Sequence, residues 1–199
     1  MTLIRRSLIV ALVAVLLARP ASADWLVMPL LGLTFGADTN VIDLEDASGL
    51  SKTTYGVGVS WMGRGILGIE ADFNYVPGFF QRDRTDLVQS SRVHTLMGGV
   101  IVAAPLSWSG YGLRPYAAGG FGLIHPKLED VLGLLPVDEN LAGFSVGGGA
   151  IGFVSDRSGV RFDLRYYRSV SGLGDDPISI GSPRLSFWRG SVALVVKLD

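Results

Sequence analysis

The 199-residue sequence contains no cysteine, so it depends on no disulfide, no thiolate-bound metal and no lipoprotein anchor. It is also poor in charge: 18% of its residues are charged and its mean hydropathy is +0.39. Yet beyond the N-terminus no apolar run approaches the roughly 20 residues of a helical membrane span. An apolar composition without a spanning helix suits a chain that crosses a bilayer with strands, because alternation dilutes their hydrophobicity. There is no basic excess either. The 17 Lys and Arg stand against 18 Asp and Glu, and Arg5, Arg6 and Arg19 belong to the leader described next. The mature chain therefore carries 14 basic and 18 acidic residues, a net charge of −4, and no stripe that would hold nucleic acid.

Residues 1–23 read as a cleaved signal peptide. Arg5 and Arg6 make a positive start, Ser7 to Ala18 an apolar core too short to span, and Ala21-Ser22-Ala23 a small-residue cleavage site before Asp24. One domain, residues 24–199, follows.

Its most informative stretch is Arg161 to Arg168, RFDLRYYR. Period two puts Val160, Phe162, Leu164 and Tyr166 on one face and Arg161, Asp163, Arg165 and Tyr167 on the other. Leu67, Ile69, Ala71, Phe73 and Tyr75 alternate in the same way with Gly68, Glu70, Asp72 and Asn74. Charges of both signs thus face one side of a sheet, and they meet inside if the sheet closes. Eight such segments are predicted: 25–36, 52–62, 66–76, 91–104, 113–124, 141–154, 160–170 and 184–198.

The connections between them alternate long, short, long, short, long, short, long. Segments 63–65, 105–112 and 155–159 are short or turn-like, while 37–51, 77–90, 125–140 and 171–183 are long and polar. Outer-membrane barrels have this asymmetry, with short periplasmic turns, long outer loops and both termini in the periplasm. Trp25, Trp61, Trp108 and Tyr111 fall at the predicted periplasmic ends, and Tyr55, Tyr75, Phe79, Phe144 and Trp188 near the outer ends, as two interfacial girdles would. Many of the 27 glycines lie within strands, including Gly56, Gly58, Gly98, Gly99, Gly119, Gly120, Gly122 and Gly147 to Gly149. That density is expected to relieve crowding inside a narrow barrel.

RPYAAGGFG at Arg114 to Gly122, and VGGGAIGFVSDRSGVRFDLRYY at Val146 to Tyr167, resemble the small outer-membrane β-barrel family that includes the OmpA transmembrane domain. The first looks like that family's Pro-Tyr-x-x-x-Gly-x-Gly strand, the second like its glycine-rich strand, tight turn and basic-acidic-basic-Tyr-Tyr strand. The resemblance implies an all-β, up-and-down transmembrane barrel of about eight antiparallel strands, surrounded by outer-membrane lipid and lipopolysaccharide and inserted by the barrel-assembly machinery. Members usually end on an aromatic residue read by that machinery; this chain alternates correctly over Ala193 to Leu198 but closes on Asp199.

Glu70, Asp72, Arg161, Asp163, Arg165 and Arg189 are expected to project into the lumen and to pair there as a plug, the alternative being a polar gate for ions. A hydrolytic set would have to combine His94 or His125 with Ser91 or a carboxylate, and His125 is expected to begin an outer loop. Acidic residues at Asp38, Asp43, Glu45, Asp46, Glu129, Asp130, Asp175 and Asp176 read as a solvated outer rim, without the ligand spacing of a calcium loop. Val131 to Pro136 is apolar for a loop. No cofactor or metal motif is present. The expected function is an integral outer-membrane barrel with an envelope-structural or surface-interaction role, neither catalytic nor a large pore. The competing readings are a secreted lipocalin-like carrier, a lipid A-modifying barrel enzyme and a small ion channel.

Overall fold

The computed structural model describes residues 23–39, 51–63, 65–79, 88–105, 108, 113–130, 137–138, 140–172 and 185–198. Leader residues 1–22, segments 40–50 and 80–87, the stretch Val131 to Pro136 and the acids Asp43, Glu45, Asp46, Asp175 and Asp176 lie outside them, as do Tyr111 and Asp199.

Eight long strands carry the fold: β1 (Asp24–Thr39), β2 (Lys52–Met62), β3 (Leu67–Pro77), β4 (Val88–Ala103), β5 (Leu113–Asp130), β7 (Leu141–Phe153), β8 (Ser158–Gly172) and β9 (Leu185–Leu198). A two-residue strand, β6 (Val137–Asp138), pairs back onto the far end of β5. Every neighbour is antiparallel, in the order β4-β3-β2-β1-β9-β8-β7-β5, and the β4–β5 ladder, from Val88↔Asp130 to Ala103↔Tyr116, joins the two ends. The sheet is therefore a closed barrel with no exposed edge among its long strands. β5 runs six residues further than the sequence predicts. His125, Glu129 and Asp130 belong to this strand and not to a loop, because β4 begins early enough to pair with them.

Strand phase follows the sequence alternation. On β3 the burial alternates without a break from Leu67 to Val76, with Gly68, Glu70, Asp72, Asn74 and Val76 turned inward. In β1 the phase reverses once. Three steps from Phe35 to Asp38 face two on β9, from Trp188 to Ser186, so β1 holds one extra residue. Gly36, at φ 58°, takes up the bend. Asp38 consequently points outward and Ala37 packs against the interior.

The outer face is apolar. Leu33 (53% exposed), Ile69 (53%), Val100 (49%), Phe121 (76%), Leu164 (48%) and Leu194 (53%) are typical of its middle. Ten residues separate Trp25 from Phe35 and Trp188 from Leu198, about 34 Å along a strand and about 26 Å along the axis at a tilt of about 40°. That height matches the apolar band of a spanning barrel.

The interior differs from the purely charged one that the sequence suggests, since it is built in three layers. An apolar cluster of Leu26, Met28, Met62, Ile101, Ala103, Tyr116, Ala118, Ile151, Ala193 and Val195 fills the short-turn end. A second cluster, of Val76, Phe79, Val93, Met97, Ile124, Leu141, Tyr167, Leu185 and Phe187, fills the long-loop end. The charges lie between them. Phe79, expected in the outer girdle, is 2% exposed and meets Phe187 edge-on at 5.6 Å, because the chain turns inward at Gly78 (φ 61°). Of the strand glycines, Gly98, Gly119 and Gly148 have the outward phase and so do not relieve the lumen; Gly56, Gly58, Gly99, Gly120, Gly122, Gly147 and Gly149 have the inward one.

Candidate functional site

The six charged residues read as luminal all come together in the middle layer. Glu70 and Asp72 stand two apart on β3, Arg161, Asp163 and Arg165 alternate along β8, and Arg189 comes from β9. In the ring of strands β3 and β8 are four places apart, so their contacts cross the lumen. Arg161 Nη2 meets Glu70 Oε2 at 3.0 Å and Asp163 Oδ2 at 2.8 Å. Arg165 reaches Glu70 Oε1 at 2.5 Å through Nη1 and Asp163 Oδ1 at 2.8 Å through Nε, with Asp72 Oδ2 3.6 Å away. Arg189 Nη2 donates to Asp72 Oδ1 at 3.1 Å.

Three guanidinium groups face three carboxylates, so the layer is neutral when all are ionised. Each side chain is at most 10% exposed. Removed from water, such charges cost several kcal/mol each unless paired and hydrogen-bonded, and the network supplies this pairing. A cavity of about 20 Å³ inside it has room for one water molecule.

Two participants escape a reading of charge patterns. Tyr116 stands across from β8: its hydroxyl donates to Asp163 Oδ2, accepts from Arg161 Nε at 2.6 Å, and its ring lies 4.5 Å beneath the Arg161 guanidinium. Tyr167 gives Arg189 a similar platform at 4.4 Å and stacks on Phe187 at 5.0 Å. The available signal was phase, since Tyr116 shares the inward phase of β5 with Gly120 and Gly122.

Arg114, also inward, has another task. Its Nε donates to Ala104 O at 2.7 Å, its Nη1 to Gly63 O at 2.9 Å and its Nη2 to Gly65 O. One planar fork thus braces the β2–β3 turn against the end of β4. Arg114→Ala is expected to lower the stability of the detergent-folded protein by about 2 to 3 kcal/mol, since buried bonds to a charged donor are lost. Arg114→Lys should recover only part, because an ammonium cannot span three carbonyls. A urea midpoint unchanged in Arg114→Ala would sink the bracing role.

The interfacial aromatics divide between the two ends. Trp25 and Trp61 are register partners at the short-turn end, 52% and 41% exposed, and Trp108 is exposed in the turn beyond. At the other end Tyr55 pairs with Tyr75, Phe144 with Arg168, and Trp188 lies 5.2 Å from Tyr166. All of these strand aromatics have the outward phase. Ser91 is buried inside whereas His94 has the outward phase, so the hydrolytic combination considered for them is split by the barrel wall.

No protein-family model matches the chain, and no curated protein sequence matches it. Solved structures do. Neisserial surface protein A is similar with a TM-score of 0.60 at 11% identity, over 88% of this chain and 97% of that one. The outer membrane protein OprG from Pseudomonas aeruginosa gives 0.54 at 12% identity, over 89% and 97%. The N-terminal β-barrel domain of Pseudomonas aeruginosa OprF gives 0.51 at 11%, over 87% and 97%. At such identities the likeness is one of fold, and by fold this chain is a small, closed, eight-stranded β-barrel of the outer-membrane type.

Proposed function

We propose that the protein is an integral outer-membrane barrel with an envelope-structural or surface-interaction role, without catalysis and without an open pore. The observation that carries this reading is the inverted distribution of polarity: an apolar belt outside and a paired charge layer within. Water would leave that belt unsatisfied, since a contiguous apolar surface of this size marks a lipid or protein interface. A lipocalin-like carrier has the opposite arrangement, with an apolar cavity inside and charges in water; here, among the described residues, apolar clusters occupy both ends of the lumen with the paired charges between them. The same filling speaks against a channel.

The short turns and the chain ends face the periplasm in this reading, the long loops face outward, outer-membrane lipid including lipopolysaccharide forms the surroundings, and the barrel-assembly machinery inserts the chain. The test combines location with conduction. The protein is expected in the outer-membrane fraction, migrating differently on gels before and after boiling, and silent in planar bilayers apart from rare small openings. Recovery in the soluble periplasmic fraction would restore the carrier reading. Steady porin-like conductance would overturn the closed interior.

A further inference from the structure

Seven of the eight ladders between the long strands join consecutive strands. The eighth joins β1 to β9, which no turn connects, so the barrel closes there through its ladder alone. That ladder is interrupted. Its register continues from Val27↔Val196 to Leu30↔Ala193, yet the two pairs between them, Met28 with Val195 and Pro29 with Leu194, are missing. A bonded antiparallel pair exchanges two hydrogen bonds, and Pro29 has no N–H to give. Both missing pairs need that donor, so the Leu194 carbonyl is left without its ladder bond. The other long ladders have no such gap in mid-wall; their irregularities, at Val88/Ser90 and Ala142/Gly143, lie near strand ends.

The gap is badly placed for a lipid-facing wall. Pro29 is four residues from Trp25, about 10 Å along the axis of a tilted barrel, and so lies within the apolar belt. Hydrocarbon offers a carbonyl no replacement donor. Nor is the seam whole further on, where the bulge between Phe35 and Asp38 interrupts it again. Behind the gap lies the water-sized cavity of the charge layer. Met28 and Leu30, either side of Pro29, line it together with the small Ser191 and Ala193 of β9. Arg161 reaches the same place, with Nη1 3.4 Å from Met28 Sδ. In front of the seam an outer groove is lined by Leu31, Leu33, Gly190 and Val192, and Ser191 and Asp163, which are register partners, border groove and cavity alike.

We infer that the β1–β9 seam opens locally at Pro29 and that this opening admits water sideways to the charge layer. The two apolar clusters shut both ends of that layer, whereas the seam beside it is held by fewer backbone bonds than the rest of the wall. The free energy of a local opening falls with each bond it need not break. Pro29 thus makes one line of the closed barrel labile. The cost assigned to the gap rests on the membrane-barrel reading given above; the missing bond does not.

Hydrogen exchange of the detergent-folded protein, followed by NMR, tests both halves of this inference. The Leu31 and Leu194 amides are expected to exchange about tenfold faster than those of Ala71 and Asp72 on β3, whose ladders have no gap on either side. Pro29→Val restores the donor on an outward-facing strand position and should remove that difference. The Arg161 Nε–H, bonded to the Tyr116 hydroxyl at 2.6 Å inside the layer, should slow with the seam amides. The Arg114 Nε–H, bonded to Ala104 O near the short-turn end, should not change. Seam amides as slow as those of β3 in the unmodified protein would overturn the opening, whether or not Pro29→Val folds. Fast seam amides that Pro29→Val leaves fast would show fraying of terminal strands and remove Pro29 as the cause. An Arg161 Nε–H rate that ignores Pro29→Val, or one that moves together with Arg114, would mean that water enters through an end, and the side entry would be rejected. None of these outcomes touches the membrane reading, which fractionation decides.

Discussion

Asp163→Arg should lower the urea midpoint of the detergent-folded protein by about 2 M, and Asp156→Arg should leave it nearly unchanged. Asp163 is the junction of the middle layer. It accepts from Arg161 Nη2 at 2.8 Å, from Arg165 Nε at 2.8 Å and from the Tyr116 hydroxyl. An arginine there would set four guanidinium groups against two carboxylates, between apolar clusters that keep solvent away from either end. Leaving a buried charge without its partner costs about 3 to 5 kcal/mol, and at a urea slope of about 2 kcal/mol per M this is the stated shift. Asp156 lies exposed in the turn between β7 and β8, where an ion pair is worth about 0 to 1 kcal/mol. Asp163→Asn separates charge from bulk: it fits the same space, leaves three cations facing two anions, and is expected to fall between wild type and Asp163→Arg. Equal midpoints for Asp163→Arg and Asp156→Arg would mean that water reaches the layer, and the closed interior would have to be abandoned.

A second large effect is expected at Gly149, on the inward face of β7. A Cβ there would lie 2.8 Å from Tyr116 Oη and closer still to the backbone carbonyl oxygen of Phe162 on the neighbouring strand β8. A ladder carbonyl cannot withdraw without breaking the sheet. Gly149→Val should therefore either prevent recovery of the folded gel species or cost more than about 3 kcal/mol, the upper range of overpacking in a filled interior. Gly98 is the matched control. It faces outward with nothing within 4 Å of the added atom, so Gly98→Ala should be neutral or gain up to about 1 kcal/mol by narrowing the unfolded ensemble. If Gly149→Val folds as well as Gly98→Ala, Tyr116 and β8 are not held against β7 as described.

Much of this architecture was legible in the chain because a strand's inward or outward phase is a local property. Residues two apart share a face whatever the rest of the sheet does, so Glu70 with Asp72, and Arg161 with Asp163 and Arg165, could be assigned to one side before any pairing was known. The same holds for the outward Trp61, Tyr75 and Trp188, and for the contrast between short turns and long connections. Where local phase misled, a local irregularity was responsible. The bend at Gly78 carried Phe79 into the lumen.

Height along the barrel axis is different, since it depends on register and tilt accumulated around the closed sheet. It decided that Arg161 meets Glu70, 91 residues earlier and across the lumen, and that Tyr116 rises to Asp163. It also stacked the interior into an apolar, a charged and an apolar layer. The sequence by itself determined which medium each side chain faces, through an alternation two residues long. Only the closed tertiary structure decided which side chains share a level, because that is set jointly by the registers of all eight strands.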